Sequence, residues 1–420
     1  MVSAVGQEPS RPCWDKSPCA GFFSIPARSV IVESNGGFCP GFLRDLSPVP
    51  PGEHALRHES ARLSMGAMTD QEIYTWPALT TALTKGRDLT SDEAWWAMGQ
   101  VMRGKVDPVP LAGFLVALQA KGAVVHEVNA LASSMLEHST TITAPQGAVD
   151  IVGTGGDGAH TVNVSTMASL VIRGAGIPVA KHGNRAVSSK SGSADVLEAL
   201  GVRLDLPVAH VQRVLDEAGI SFCFAQVFHP SMKHAAPARG GLKLPTVFNV
   251  LGPITNPAGV RAHSVGVAFE EMAPVIAGVF ADRGASAVVV RGRDGLDELS
   301  IAAESDVWEV HGGIVTTHVV KPEDFGLSPA SIDALRGGDP SYNAQVARDL
   351  LAGKTGPVRD AVVLNAASGI VAAEGLERDS DACLAFMDRM RIAVKRAEES
   401  LDSGAAQAAL DRWVTASQSA

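Results

Sequence analysis

Apolar residues recur every three to four positions across residues 76–138, which predicts a run of helices. Thr90 followed by Glu93 has the spacing of an N-terminal capping box, ahead of the segment AWWAMGQVM. One face of the helix that follows carries Ala94, Met98, Val101 and Met102. The regular part of the chain is therefore predicted to begin with a small helical domain.

From about residue 148 the pattern changes to alternating strands and helices. Short apolar runs predict strands at Val149–Val152, Pro178–Lys181, Ser221–Phe224, Arg261–Val267 and Ser286–Arg291. Helical patterns lie between them at Ser165–Arg173, Ser193–Leu200, Val208–Ala218 and Met272–Arg283. Such alternation is typical of a mainly parallel sheet that is covered by helices.

The pattern beyond the last of these strands predicts a hairpin and then more helices. Val307–Val310 and Ile314–Val319 flank a His-Gly-Gly turn, and apolar faces recur in Tyr342–Leu351, Val358–Ala372 and Ala382–Leu401. We therefore predict an α/β protein with a helical domain at 69–147 and a larger α/β domain at 148–420.

Residues 1–68 show no lasting apolar period. Prolines interrupt the segment at Pro9, Pro12, Pro18, Pro26, Pro40, Pro48, Pro50 and Pro51. This composition is typical of a disordered or loosely attached extension. Met65 or Met68 is a candidate for the true start of the protein.

A chain that starts at Met68 is expected to keep its activity and almost all of its stability. A segment that buries little apolar surface adds little to the free energy of unfolding. The melting temperature should shift by less than about 2 °C, which corresponds to well under about 1 kcal/mol for a chain of this length. Thermal unfolding of the full and shortened chains tests this expectation, and a large drop would show that the extension packs on the helical domain.

Composition narrows the class of protein. The chain has 420 residues, a formal net charge of -10, 46% hydrophobic and 19% charged residues. The acidic balance argues against general nucleic-acid binding, and no apolar run is long enough to span a bilayer. The five cysteines lack disulfide or zinc-site spacing, so we expect reduced thiols. The N-terminus shows no charged region followed by an apolar one, as a secretory signal would, so we expect a cytoplasmic location.

One stretch of this acidic chain is free of carboxylates. No Asp or Glu lies between Asp157 and Asp195, and the gap holds Arg173, Lys181, Arg185, Lys190, His160 and His182. It is also rich in Gly, Ser, Thr and Asn, which bring backbone and hydroxyl donors close to phosphate oxygens. We infer an anionic ligand rather than an ordinary surface loop.

The segment GTGGDG at 153–158 follows a predicted strand and formally matches a dinucleotide fingerprint. That fingerprint also needs an acid about 20 residues further on, and Ile177–His182 contains none. NAD binding is therefore excluded, although the loop can still cradle a phosphorylated sugar. Asp157 is a candidate acceptor for ribose hydroxyls.

Two further loops lead into predicted helix starts. Asn163–Thr166 opens one helix, where free N–H groups favour an anion, although Ser165 and Thr166 are also ordinary N-cap types. Lys181–Arg185 ends the next strand with two cations, and a serine-rich run then leads to Ser193. Two such loops could hold two phosphate groups at once.

Asp297 and Glu298 follow the apolar strand AVVVRG within the segment DGLDE. Adjacent carboxylates that face a phosphate site suit Mg²⁺, which takes few carboxylates and keeps water and phosphate ligands. An acidic turn without a metal is the alternative interpretation.

In this order, these motifs closely resemble the anthranilate phosphoribosyltransferase family. The resemblance runs from about Trp76 to the C-terminus and rests on GTGGDG (153–158), NVST (163–166), KHGNRAVSSKSGSADVLEALG (181–201), HPSMKHAAPAR (229–239), TVFNVLGPITNPA (246–258) and DGLDE (294–298). It implies the nucleoside phosphorylase/phosphoribosyltransferase-like fold and a homodimer formed through the helical part.

The resemblance also implies a reaction. The amine of anthranilate attacks C1 of 5-phosphoribosyl-1-pyrophosphate (PRPP), pyrophosphate leaves, and N-(5-phosphoribosyl)anthranilate forms in L-tryptophan biosynthesis. Anthranilate contacts are implied at Gly153, Asn184 and Arg239, and Mg²⁺ ligands at Ser165, Asp297 and Glu298. PRPP contacts are implied at Gly153, Gly156, Asp157, Thr161, Asn163, Val164, Ser165, Thr166, Lys181, His182, Gly183, Asn184, Arg185, Ala186, Val187, Ser188, Ser189 and Ser193.

One departure from the family pattern lies after Arg239. The family commonly has a second Arg there, where this chain has Gly240 and Gly241. The departure puts local rigidity in doubt. The alternatives that remain are a pyrimidine nucleoside phosphorylase-like enzyme and a non-catalytic nucleic-acid-binding relative of the same fold.

Overall fold

The structure, a computed structural model, describes residues 74–185, 190–377 and 384–419. The predicted extension at 1–68 lies outside the described residues, as do Met65, Met68 and Ala186–Ser189. No helix within the described ranges is both long enough and apolar enough to cross a membrane.

Four helices form the first part of the described chain: α1 (Trp76–Thr84), α2 (Ser91–Met102), α3 (Pro108–Lys121) and α4 (Val125–Glu137). The capping box predicted from sequence is present, since the Glu93 amide donates to the Thr90 hydroxyl and Glu93 accepts from the Thr90 amide. Glu127 is buried and joins α4 to Lys121 of α3 through an ion pair of 2.8 Å.

Alternating strands and helices follow: β1 (Val149–Gly153), α5 (Val164–Gly174), β2 (Val179–Gly183), α6 (Ser193–Ala199), α7 (Val208–Ala218), β3 (Ile220–Phe224), α8 (Ala225–Phe228), α9 (Ala236–Leu242), α10 (Phe248–Leu251), β4 (Ala262–Gly266), α11 (Ala273–Asp282) and β5 (Ser286–Gly292). The chain continues with β6 (Ser305–His311), β7 (Ile314–Val320), α12 (Pro340–Leu351), α13 (Pro357–Glu374), α14 (Phe386–Asp402) and α15 (Ala405–Gln418).

The strands form one sheet in the order β3-β2-β1-β4-β5-β6-β7. The pairs among β1 to β5 are parallel, while β6 and β7 form an antiparallel hairpin at one edge. The mainly parallel sheet and the added helical domain predicted from the sequence are confirmed.

Strands β1 to β5 are buried on both faces of the sheet, whereas the edge strand β7 is largely exposed. Successive side chains of a buried strand point to opposite sides, so they enter different cores. In β5, Val288 and Val290 join the core that contains α5 and α13, whereas Ala287 and Val289 join the core shared with α11 and the helical domain. The continuous apolar run of β5 therefore serves two hydrophobic cores. This double burial fixes the strand ends that carry the candidate site.

Candidate active site

The candidate site lies where the strand order reverses. From β1 the chain moves outward through β2 and β3, and it then returns to β4 on the other side of β1. In a parallel sheet, the carboxyl ends of strands at such a point leave a crevice that binds ligands. The loops after β1, β2 and β5, with the helix starts that follow them, carry the phosphate and metal residues predicted from sequence.

Two paired glycines make room for Asp297 in this crevice. Gly153 of β1 pairs with Gly266 of β4, and both end their strands. A Cβ atom on Gly153 would lie 2.2 Å from Asp297 Oδ2, and one on Gly266 would lie 1.6 Å from the Asp297 carbonyl oxygen. The Gly155 amide donates to Asp297 Oδ2 at 2.7 Å. Only glycine at both strand ends lets the β5 loop pass this close.

The glycine-rich loop itself has backbone angles that favour glycine. Gly155, Gly156 and Gly158 have φ values of 69°, 91° and 69°, in the left-handed region. His160 also has a positive φ of 53°, which is uncommon for a residue with a side chain. The loop is therefore a bent, open segment whose exposed backbone can approach an anion.

Lys181 lies at the bottom of the crevice and is fully buried. Its Nζ donates to the Ile151 carbonyl at 2.5 Å and to Ser165 Oγ at 3.2 Å. Burial lowers the pKa of Lys181, while the nearby Asp150 and Glu298 act in the opposite direction. The structure thus brings together two predicted residues, Lys181 of β2 and Ser165 of α5.

Three carboxylates face one another beside this lysine. Desolvation raises the pKa of Asp297 to about 7, with Asp157 as the next cause. Desolvation and the charge of Asp297 raise the pKa of Glu298, whereas the charge of Lys181 and a hydrogen bond from the Ser165 amide act to lower it. The three carboxylates repel one another in a site that is largely shielded from water, and a bound cation would offset this repulsion.

The donor set fits Mg²⁺ when phosphate is also present. Asp297, Glu298 and Ser165 offer oxygen ligands, which suit a hard cation. Within residues 74–185, 190–377 and 384–419, no group of three or more His, Cys, Asp or Glu could hold a metal ion. The carboxylate pair would therefore depend on water and substrate oxygens to complete the coordination.

Side chains replace the backbone ladder where β1 and β2 separate. The two strands form a backbone pair at Val149 and Val179, and beyond this pair hydrogen bonds of buried side chains join them. Asp150 accepts from the His182 amide at 3.0 Å and from Asn256 Nδ2 at 2.8 Å, and Asn256 Nδ2 also donates to the Ala180 carbonyl at 2.8 Å. Asp150 and Asn256 were missed as site residues, although Asp150 is an unusual acid inside an apolar strand.

The Asp150 carboxyl should make the stability of the protein depend on pH. Desolvation raises its folded-state pKa from 3.8 to about 6, so its contribution is full below pH 4 and is lost as the pH rises through 6. Relative to Asp150→Asn, the free energy of unfolding should fall by on the order of 3 kcal/mol between pH 4 and pH 7. Urea unfolding of both proteins across this range measures the difference, and parallel curves would contradict it.

Arg185, a predicted PRPP contact, is held by two acids of the protein. Its guanidinium pairs with Asp195 at 2.9 Å and with Glu198 at 2.6 Å. These hydrogen bonds raise its pKa, so the cation is already balanced by the helix that follows the loop. Arg185 therefore anchors the loop to α6 through Asp195 and Glu198, and its contact with PRPP stays a prediction.

The predicted NVST segment is divided between the core and the crevice. The side chains of Val164 and Thr166 are buried, with 2% and 0% exposure, whereas Asn163 and Ser165 are partly exposed. Asn163 is the N-cap of α5, so neither Ser165 nor Thr166 serves as the cap. Ligand contacts of Val164 and Thr166 through their side chains would need the core to open.

The remaining predicted residues have varied surroundings. Gly183 packs close to Phe222 and Ser193, while Asn184 is exposed and its side chain accepts from the Arg185 amide at 2.8 Å. Thr161 forms an isolated antiparallel bridge with Arg336. His182 is buried, and its Nδ1 lies 2.9 Å from the Gly252 carbonyl. Ala186, Val187, Ser188 and Ser189 lie outside the described residues.

Arg239 is a partly buried cation on α9. Its guanidinium carbon lies 5.3 Å from the centre of the Phe248 ring, and burial lowers its pKa. It forms no ion pair with any carboxylate of the described chain. Gly240 and Gly241, which follow it, are exposed, and a Cβ on either would meet nothing within 4 Å.

Comparison with known proteins identifies the family. The glycosyl transferase family, a/b domain, matches residues 145–407, and the glycosyl transferase family, helical bundle domain, matches residues 77–139. A curated anthranilate phosphoribosyltransferase of Arthrobacter sp. strain FB24 is 56% identical over 340 residues, which span 81% of this chain and 95% of the relative. The chain belongs to the anthranilate phosphoribosyltransferase family.

Solved structures of anthranilate phosphoribosyltransferases have the same fold. The enzyme of Thermus thermophilus matches with a TM-score of 0.74 and 42% identity, over 81% of this chain and 99% of that one. The Saccharomyces cerevisiae enzyme in complex with PRPP and Mg matches with a TM-score of 0.73 and 28% identity, over 82% and 98%. The yeast enzyme in complex with 4-fluoroanthranilate matches with a TM-score of 0.71 and 27% identity, over 82% and 99%.

The family and the enzyme class predicted from sequence are therefore confirmed. Neither alternative, the nucleoside phosphorylase-like enzyme or the nucleic-acid-binding relative, is supported by these comparisons. The roles of individual residues stay predictions, and the surroundings described above decide how each is tested.

Proposed function

We propose that the protein transfers the 5-phosphoribosyl group from PRPP to the amine of anthranilate, giving N-(5-phosphoribosyl)anthranilate and pyrophosphate in L-tryptophan biosynthesis. The observation that carries the proposal is the meeting of Lys181, Ser165, Asp297 and Glu298 beside the glycine-rich loop, at the carboxyl ends of β1, β2 and β5. This is a site for a polyanion together with a divalent cation.

The reaction needs positioning and charge stabilisation rather than a strong base. The aromatic amine is neutral near pH 7 and carries a free electron pair, so it can attack C1 as it stands. Negative charge develops on the departing pyrophosphate, where a buried cation such as Lys181 stabilises it strongly because the surroundings are poor in water. Holding both substrates in line provides the rest of the rate enhancement.

Mg²⁺ would be held by Ser165, Asp297 and Glu298. When bound, it supplies positive charge that balances both the carboxylates and the pyrophosphate oxygens. The complex of the yeast relative with PRPP and Mg supports this assignment. The carboxylates of this chain contribute by fixing that charge at the end of β5.

The amine substrate would be recognised through its carboxylate. Arg239 carries a guanidinium with no ion-pair partner in the described chain, and its planar fork matches a carboxylate. Asn184 and Gly153 complete the proposed anthranilate contacts. The 4-fluoroanthranilate complex of the yeast relative supports a substrate of this shape.

We propose a homodimer formed through the helical domain. An open apolar depression of about 690 Å³ lies between α1, α3 and α9, and it includes Val109 and Val116, which are 82% and 41% exposed. Water-exposed apolar surface of this kind marks a protein contact. Light scattering of Val109→Glu and Val116→Glu should detect monomers, and an unchanged mass would contradict the proposal.

The proposal also includes the domain division at residues 69–147 and 148–420 and the cytoplasmic location predicted from composition. The spans of the two matched family domains, 77–139 and 145–407, support the division. Helices α9 and α10 pack against α3 and α4, so later residues also contribute to the helical part.

One assay tests the activity directly. Anthranilate fluorescence should fall when PRPP and Mg²⁺ are added together, and it should stay constant when either is omitted. Phosphate-dependent cleavage of pyrimidine nucleosides, measured in parallel, serves as the opposing activity. Cleavage of nucleosides without loss of anthranilate would overturn the proposal.

A further inference from the structure

The N-cap of α5 does not cap its own helix. Asn163 occupies this position, where an Asn side chain usually accepts a bond from the first turn. Here Asn163 Nδ2 donates to the Ser191 carbonyl at 3.2 Å, and Asn163 Oδ1 accepts from Asn343 Nδ2 at 2.8 Å. The side chain therefore links the loop after β1 to the loop after β2.

Asn343 sets the direction of this link. It lies on α12 with 3% exposure, and its Oδ1 accepts from the Gly338 amide at 2.8 Å. A backbone N–H can only donate, so the Asn343 side chain must present its oxygen to Gly338 and its NH₂ group to Asn163. Asn163 must then present its oxygen to Asn343 and its NH₂ group to the Ser191 carbonyl. The two amides form a relay with one allowed orientation.

The segment that precedes Asn343 is fastened to the same loop. The Gly337 amide donates to the His160 carbonyl at 2.8 Å, and the Val162 amide donates to the Leu335 carbonyl at 2.8 Å. A Cβ atom on Gly337 would lie 2.6 Å from the Thr161 carbonyl oxygen, so only glycine allows this approach. The relay therefore starts from a rigid support.

We propose that Asn343 is a positioning residue for PRPP binding. Through Asn163 it fixes the distance between the loop at 153–163 and Ser191, which precedes helix α6, and both belong to the walls of the proposed phosphate site. This inference rests on the proposed function. It also gives Asn163 a role in joining the two loops, in addition to the PRPP contact predicted from the sequence.

The test uses Asn343→Asp, Asn163→Ala and the double variant. Aspartate keeps the acceptor for Gly338 but loses the NH₂ group that Asn163 needs. We expect the KM for PRPP to rise about tenfold in each single variant, with the KM for anthranilate nearly unchanged. The double variant should show little more than the larger single effect, because both changes break one relay.

Ser400→Ala is the matched control. The Ser400 hydroxyl is buried and donates to the Val171 carbonyl at 2.8 Å, near the other end of α5. Its loss should lower the melting temperature without moving the KM for PRPP. Equal KM changes in this control and in Asn343→Asp would reveal a general loss of stability and overturn the inference.

PRPP binding measured by calorimetry separates this inference from the proposed function. Weaker PRPP binding in Asn343→Asp than in the unmodified protein supports the relay, whether or not anthranilate is consumed. Unchanged PRPP affinity in both single variants would overturn the inference alone. PRPP binding without any transfer to anthranilate would overturn the proposed function alone.

Discussion

Replacing Asp297 with asparagine is expected to keep the fold and lower turnover by about 10²-fold or more, comparable to the loss of one key electrostatic group. The side chain keeps its shape, and an amide oxygen can still accept from the Gly155 amide. The charge is lost where three carboxylates and Lys181 meet, so Mg²⁺ should bind more weakly. Turnover at saturating PRPP, measured across a range of Mg²⁺ concentrations, tests this expectation.

Asp294→Asn provides the matched control in the same turn. Asp294 accepts from the Ser300 hydroxyl at 2.6 Å and from the Leu296 amide at 3.3 Å, and it is exposed. An asparagine keeps the shape of the side chain and one of its two acceptor oxygens, and position 294 lies outside the proposed metal ligands, so activity should stay close to that of the unmodified protein. Near-normal turnover of Asp297→Asn at low Mg²⁺ would rule out the proposed metal role.

Replacing Arg239 with alanine is expected to raise the KM for anthranilate by about 10- to 150-fold and to leave the KM for PRPP nearly unchanged. A hydrogen bond to a charged group contributes about 1.5–3 kcal/mol, which corresponds to this range. The guanidinium is partly dehydrated beside Phe248 and has no carboxylate partner in the described chain, so a substrate carboxylate would gain most of that energy. Measuring the KM for anthranilate and the KM for PRPP in the variant and in the unmodified protein tests this expectation.

Lys233→Ala is the control for Arg239. Lys233 is an exposed cation in the same motif, HPSMKHAAPAR, so its removal changes the local charge by the same amount. Its KM for anthranilate should change little, because a solvated charge contributes weakly. A rise in the KM for PRPP in Arg239→Ala, without a rise for anthranilate, would show that Arg239 belongs to the other subsite.

The periodic elements could be predicted from sequence because their pattern is set by burial. Helix α7 has the predicted bounds, Val208–Ala218, and the β1 to β5 strands agree within two residues of the predictions at each end. The glycine-rich loop and the carboxylate pair were also identified, since glycines and adjacent acids at strand ends are visible without a partner. Helix α15 was not predicted, although Ala406, Leu410 and Trp413 form a buried face at helical spacing.

The residues that hold the site in place could not be predicted in the same way. Asp150 lies in strand β1 and Asn343 in helix α12, two elements that were predicted from their apolar residues. Asn256 lies between α10 and β4. Their importance comes from partners that lie far away in the chain, such as Asn163 for Asn343, at a separation of 180 residues. A single sequence contains both members of each pair but gives no sign that they meet.

These long separations determine when the protein becomes able to bind its ligands during synthesis. The bond between Gly155 and Asp297 spans 142 residues, and that between Asn163 and Asn343 spans 180. A ribosome-bound chain that ends before α12 would have the glycine-rich loop but would lack Asn343, which bonds to Asn163. Closing these long loops is therefore a late and slow step of folding. PRPP can therefore stabilise the finished protein against unfolding, whereas it offers no such protection to the growing chain until the last third has emerged.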